Sequence, residues 1–354
     1  MLPLASATRE HHRNCVLTPH GGNGTGYSGL TTTVPREYVH RAAVSEVLLT
    51  GWEPAADSPP PHPTDHPAHH GGLASAGPPG GPAGHHDSFV VRSQWPRGHS
   101  LFSQTDGYQD PMLLIESVRQ IGSLLSHAEF EVPFGHQFLM WDMSFSTTPE
   151  LLMAGPAPAE VELRTVCRDV VRRGRTLAGM RYDVTALVDG VALATAGAAF
   201  SCTSPAVHRR LRGDRPTGTD RVPGLPIDPA LIGRTDTAHV VLAEDPTAVR
   251  DHQWELRVDS THPIFFDHPV DHVPGMVLLE AARQAAHAST GLPDALVLGL
   301  DSNFARYVEL DEPCRIEANP GLPDALGEIL VQVHGTQRDQ TVFAADLVLR
   351  PRTN

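Results

Sequence analysis

The chain has 354 residues, room for two domains that each bury a core, and carries a formal charge of −14 from 27 basic and 41 acidic residues. That acidic balance argues against a nucleic-acid binder, which needs a basic face to neutralise phosphates. Every basic residue is Arg, and the absence of Lys excludes Schiff-base and P-loop lysine chemistry.

Residues 1–28, rich in Gly, His, Thr and Pro, read as a flexible tail without a signal-peptide layout. No segment reaches the length of an apolar membrane helix, because the run near 184–200 is broken by Asp189. No membrane association and a cytoplasmic location are expected. The first domain is expected over 29–204. It opens on strand-like SEVLLTGW, and 53–87 follows as a disordered loop rich in His, Pro and Gly. His62, His66, His69, His70, His85 and His86 in that loop lack the rigid framework that a metal site needs. No ligand spacing elsewhere demands a metal or an organic cofactor, so none is expected. Cys15, Cys167, Cys202 and Cys314 form no CxxC pair and read as reduced structural thiols.

After a second strand, SFVVRSQW, comes the feature that organises the chain, an internal repeat. The first copy starts at His99 and runs through Leu101-Phe102 and Pro111 into an apolar helix with Glu116, Arg119 and Gln120. The second starts at His262 and runs through Ile264-Phe265 and Pro274 into a helix with Glu280, Arg283 and Gln284, all three at one constant offset. Downstream, Asp142-Met-Ser-Phe145 matches Asp301-Ser-Asn-Phe304. Strand-like segments follow each helix, VELRTVCRDVV, TLAGMRYDVTALVDG and VALATAGAAFSC in the first copy, then YVELDEPCRIEA, EILVQVHG and TVFAADLVLR in the second. Residues 205–235 read as an interdomain linker and 236–354 as the second domain. The expected fold class is α+β, a tandem double hot dog in which each repeat wraps an antiparallel sheet around one long buried helix.

Each helix is apolar on nearly all sides yet carries a polar stripe, Glu280, Arg283, Gln284 and His287 in one and Glu116, Arg119, Gln120 and Ser123 in the other. Ionisable groups on a buried helix are costly unless paired or facing a solvated pocket. Two readings follow. The stripe is a catalytic carboxylate at a pocket between the repeats, or a buried Glu–Arg pair that fixes their contact. Glu280 and Glu116 are the candidate carboxylates, with Arg283, Gln284, Arg119 and Gln120 in support. The second helix starts after Pro274-Gly275, so the backbone N–H groups of Gly275 and Met276 are candidates for an oxyanion site.

PVDHVPGMVLLEAARQ resembles the helix entry of β-hydroxyacyl-carrier-protein dehydratases, keeping the Gly-to-Glu spacing but lacking their His-Phe-Pro-Gly. From about Leu30 onward, LTTTVPREYVHRAAVSEVLLTGW, SQWPRGHSLF, LIGRTDTAHVVLA and FDHPVDHVPGMVLLEAARQ resemble the A-factor (γ-butyrolactone autoregulator) synthases. That resemblance implies acyl transfer from a β-ketoacyl thioester, on acyl carrier protein or CoA, to dihydroxyacetone phosphate. The ester would cyclise to a phosphorylated butenolide, a precursor of γ-butyrolactone or furan-type signalling molecules. Glu280 would then be the general base, with His262 or His268 assisting. Arg283, Arg119, Arg306 and Arg36 are phosphate candidates, and Arg164, Arg168, Arg172, Arg173, Arg175 and Arg181 could dock a carrier protein. A thioesterase or dehydratase on the same fold, or a non-catalytic acyl-ligand sensor, are the competing readings, and a homodimer stays open.

Overall fold

In the computed structural model, the residues described are 31–55 and 87–352. The expected tail, nearly all of the His/Pro/Gly loop and Cys15 lie outside them. The strands follow from alternation. In β2 (Ser88–Trp95) every second side chain is buried, and β11 (Ile329–Gln337) behaves the same way. Two-residue turns set the register of equivalent hairpins in the two copies. Asp189-Gly190 joins β5 (Thr176–Val188) to β6 (Val191–Thr203), and Arg338-Asp339 joins β11 to β12 (Gln340–Arg350). All four turn residues have positive φ, as a tight antiparallel hairpin requires.

The remaining strands are β1 (Leu49–Pro54), β3 (Gln137–Thr147), β4 (Ala159–Arg173), β7 (Leu242–Glu244), β8 (Gln253–Leu256), β9 (Leu296–Phe304) and β10 (Arg315–Pro320). All pair into one 12-stranded antiparallel sheet in the order β1-β2-β4-β5-β6-β3-β9-β12-β11-β10-β8-β7. The seam is the β3–β9 pair, with Ser144 opposite Asp301 and Phe145 opposite Leu300. These are the downstream repeat markers, DMSF and DSNF. Each copy thus contributes half of a continuous sheet.

Helix α1 (Met112–Ala128) and helix α3 (Gly275–Thr290) lie against their own half-sheets, and their apolar residues belong to one core that spans both copies. Asp110 Oδ1 caps α1 by accepting the Met112 N–H at 2.8 Å. Helix α3 has no side-chain cap and ends at Gly291, whose φ of +65° supplies the left-handed C-terminal turn. The segment expected as an irregular linker carries helix α2 (Pro205–Arg212), capped by Ser204, and a 3-10 turn at Pro229–Ile232. Among the described residues no helix is long and apolar enough to cross a membrane. Cys167, Cys202 and Cys314 are buried and free, and burial pushes their thiols up to about 12, 11 and 12.

Candidate active site

The two stripes build two matching polar cages. In α1, Arg119 Nε donates to Glu116 Oε2 at 2.9 Å and Nη2 to Oε1 at 2.7 Å, while Gln120 Nε2 donates to Oε1 at 2.6 Å. In α3, Arg283 Nε donates to Glu280 Oε2 at 2.9 Å and Nη2 to Oε1 at 2.7 Å, with Gln284 Nε2 on Oε1 at 2.7 Å. Each glutamine also takes up a buried stretch of backbone. Gln120 Oε1 accepts the Leu48 N–H, and Gln284 Oε1 accepts the Val241 N–H.

A third side chain completes each cage, and sequence reasoning missed both. Arg41 reaches Glu116 through Nε (3.0 Å) and Nη2 (2.7 Å), and its Nη1 donates at 2.9 Å to the Ile264 carbonyl of the other copy. Arg234 donates through Nη2 to Glu280 Oε1 at 2.9 Å, and through Nη1 to the Leu101 carbonyl of the first copy at 2.5 Å. Each arginine therefore binds the carboxylate of its own copy and the loop of the opposite one. The signal was present. Arg41 and Arg234 each precede by seven residues the backbone N–H that the stripe glutamine accepts. The segment at 53–87 has no counterpart in the second copy, so the repeat changes offset there and the match upstream was hidden.

The crossing redistributes the loop residues. Asp267 lies 3.8 Å from Arg41 and accepts the Ala42 N–H, so the second copy's loop faces Glu116. Asp110 of the first copy lies 3.5 Å from Arg283 and 3.9 Å from Arg234, so the first copy's loop faces Glu280. His268 accompanies Asp267, donating from Nδ1 to its Oδ1 at 2.5 Å, and its side chain is 45% exposed. In His262, Nδ1 accepts the N–H groups of Ile264 and Phe265, and Nε2 lies 3.1 Å from His239 Nδ1. Nδ1 is committed to the turn, while Nε2 faces the His239 ring. Burial, then His239, lowers its pKa to about 4. His99 caps the equivalent turn in the first copy. A Cβ on Gly275 would meet the Phe304 ring at 3.3 Å, so packing accounts for this glycine, and the N–H of Met276 sits beside it at the uncapped start of α3.

The two carboxylates differ where it matters chemically. Glu116 is 2% exposed and is surrounded by five charged or amide donors. Burial alone would raise its pKa, but Arg119 and then Arg41 outweigh it and hold the group at about 2. Glu280 is 0% exposed, and its Oε2 has a single donor. Burial pushes its pKa up to about 7, opposed by Arg234 and reinforced by the nearby Asp110 charge. Burial raises Asp110 as well. A solvent-open pocket borders this second cage, with Asp110, Arg234, Arg283 and His287 in its wall.

Among the Arg residues offered for carrier docking, Arg164, Arg168 and Arg181 are paired with Glu162, Asp183 and Asp142. Arg172, Arg173 and Arg175 at the β4–β5 turn have no acidic partner among the described residues. Arg36 is tied to Glu37 and the Ala42 carbonyl. Of the phosphate candidates named from sequence, Arg283 alone lines the pocket.

A family model described as the A-factor biosynthesis hotdog domain matches residues 25–204 and 217–350. A Streptomyces virginiae protein named 2-oxo-3-(phosphooxy)propyl 3-oxoalkanoate synthase is 50% identical over 318 residues, 89% of this chain and 97% of that protein. A Streptomyces coelicolor protein of the same name is 35% identical over 317 residues, 89% and 90% of the two chains. Among solved structures, a 12:0-ACP thioesterase from Umbellularia californica aligns with a TM-score of 0.47 at 12% identity, covering 74% of this chain and 94% of that one. Likeness at that level carries no functional information.

Proposed function

Because the chain belongs to the A-factor biosynthesis hotdog-domain family, we propose that it is a synthase that acylates dihydroxyacetone phosphate with a 3-oxoacyl group from a carrier-protein or CoA thioester. The product carried in the relatives' name is this ester, its alcohol half being the phosphorylated triose and its acid half the 3-oxoalkanoate. The bond chemistry is simple. The triose hydroxyl loses a proton as its oxygen attacks the thioester carbon, the C–S bond breaks, and the proton leaves with the thiol. The enzyme needs a base near neutrality, positive charge for phosphate, and donors for the developing oxyanion.

The observation that carries the site assignment is the asymmetry of the two cages. Matched carboxylates pushed to opposite ends of their range separate an acid–base group from a structural anion. Glu280, held near 7, is the proposed base, acting in one charge cluster with Asp110. Glu116, ionised and saturated, is the proposed anchor. Arg234 and Arg283 supply positive charge at the pocket, and the N–H groups of Gly275 and Met276 remain candidates for an oxyanion.

A second assignment of the base rests on the Asp267–His268 pair, which leaves His268 Nε2 free on a half-exposed ring. Mass spectrometry of ester formed from a 3-oxoacyl thioester and dihydroxyacetone phosphate tests the choice. Glu280→Gln is expected to abolish the product and His268→Asn to retain it. The reverse pattern moves the base to His268. Free 3-oxo acid formed without the triose phosphate refutes the synthase reading.

A further inference from the structure

We propose that the pocket between the first copy's loop, residues 103–111, and Arg352 near the C-terminus is the acceptor subsite. It takes a small phosphorylated ketose, with Arg352 meeting the phosphate and Gln109 the carbonyl and hydroxyl oxygens. The proposal rests on the acyl-transfer reading above and gives it an address.

Three observations converge on this pocket. The first is unmet hydrogen-bonding capacity. Gln109 is 3% exposed, lines the pocket, and has no partner for either amide atom among the described residues. A buried amide without partners is unfavourable, and such groups in native proteins call for an explanation. A ketose offers what this one lacks, a carbonyl oxygen for Nε2 and a hydroxyl for Oε1. The Nε groups of Arg234 and Arg352, both in the pocket wall, are buried and unpartnered as well.

The second is local charge. Three guanidiniums, Arg234, Arg283 and Arg352, line a pocket whose one lining carboxylate among the described residues is Asp110. Arg234 and Arg283 are tied to Glu280. Arg352 is not. Its ion-pair partner is Asp106, whose side chain is 74% exposed, and it otherwise lies over the Tyr108 ring at 5.6 Å. A solvated partner of this kind competes poorly with a phosphate dianion, which a guanidinium can meet with paired N–H groups.

The third is direction. Asp110 sits in the pocket wall within reach of the guanidiniums that hold Glu280. A ketose phosphate anchored at Arg352 directs its free hydroxyl toward Asp110, the carboxylate in the pocket wall, through which the proton passes to the Glu280 cluster as the ester C–O bond forms and the C–S bond breaks. Polar Ser103, Thr105 and Tyr108 line the cavity together with apolar Ile232, Leu296 and Val297, and these polar groups belong to the same loop as Gln109 and Asp110.

Arg352→Gln and Gln109→Met test the proposal in the full-length chain, with fold checked by thermal unfolding. Each variant is expected to raise KM for dihydroxyacetone phosphate at least tenfold while KM for the 3-oxoacyl thioester stays within twofold. An unchanged KM for the triose phosphate in both variants overturns the assignment, as does an equal rise in both KM values. If wild-type protein makes no ester at all, the synthase reading fails and the pocket is judged separately. Calorimetry should then show glycerol 3-phosphate binding to wild type and at least tenfold weaker binding to Arg352→Gln. Absent binding, or equal binding by both, removes the subsite. Inorganic phosphate binding as tightly as glycerol 3-phosphate would reduce it to a simple anion site and refute the ketose assignment.

Discussion

Replacing either stripe glutamate by glutamine changes one atom and removes one charge, yet the two replacements should act in opposite ways. The pKa of Glu116 falls from the ordinary 4.5 to about 2 on folding. At 1.36 kcal/mol per pKa unit this contributes about 3 kcal/mol of stability. That contribution is fully present above pH 4.5 and is lost as pH falls toward 2. Glutamine there leaves Arg41 and Arg119 buried without a counter-charge, so Glu116→Gln should cost about 3–5 kcal/mol at pH 8. For a folded unit of this size that corresponds to a Tm lower by roughly 5–8 °C. Glu280 runs the other way, from 4.5 to about 7. Its folded form binds the proton more tightly, so stability is greatest below pH 4.5 and declines by about 3 kcal/mol as pH rises through 7. Glutamine resembles the protonated acid and removes that decline, partly offsetting the loss of the Arg234 and Arg283 pairs. Glu280→Gln should therefore lie within about 2 kcal/mol of wild type at pH 8 while losing ester formation. Urea unfolding at pH 8 and pH 5, with turnover on the same preparations, measures both. Equal destabilisation by the two substitutions, or full turnover in Glu280→Gln, would refute the division of labour.

Three further outcomes follow from the geometry. With Glu280 as base, kcat for ester formation should rise with pH through an apparent pKa near 7 and level above it. A profile flat from pH 5.5 to 8.5 would contradict that. Arg41→Met should destabilise by about 3–5 kcal/mol. Hydrogen exchange should quicken around Ile264–Asp267, far away in sequence, and exchange confined to residues near 41 would refute the clamp. Reversing Arg172 and Arg173 to Glu should raise KM for a carrier-protein thioester and spare the CoA thioester, whereas equal effects on both would remove the β4–β5 turn as a docking point.

Much of the fold could be read from the repeat, because a helix entry with Glu, Arg and Gln at fixed spacing leaves few alternatives once it occurs twice. The strands found beforehand were those with clear alternation, such as SFVVRSQW. Strands β3 and β9 escaped notice as strands because they run down the middle of the sheet and mix polar and apolar residues on both faces. The site was harder. Local spacing shows which side chains share a helix face, and it correctly grouped Glu280 with Arg283 and Gln284. It does not show which loop lies over that face. The expectation that His262 and His268 attend Glu280 followed sequence proximity; Asp267, with His268 beside it, lies instead by Arg41 of the Glu116 cage, while His262 stays beside His239, whose carbonyl accepts from Gln284. Arg41 and Arg234 sit inside matching segments whose correspondence the change of offset at 53–87 concealed, and Asp110 acquires meaning from partners far along the chain.

The reciprocal grip of Arg41 on Ile264 and Arg234 on Leu101 has an evolutionary consequence. After duplication, two copies joined in one chain are usually free to drift apart, each answering to its own function. Here neither can: a substitution in the first copy's loop is registered at the second copy's carboxylate, and the reverse holds too. The halves inherit as a mated pair, so specialisation of one cage is possible only while the other keeps its hold.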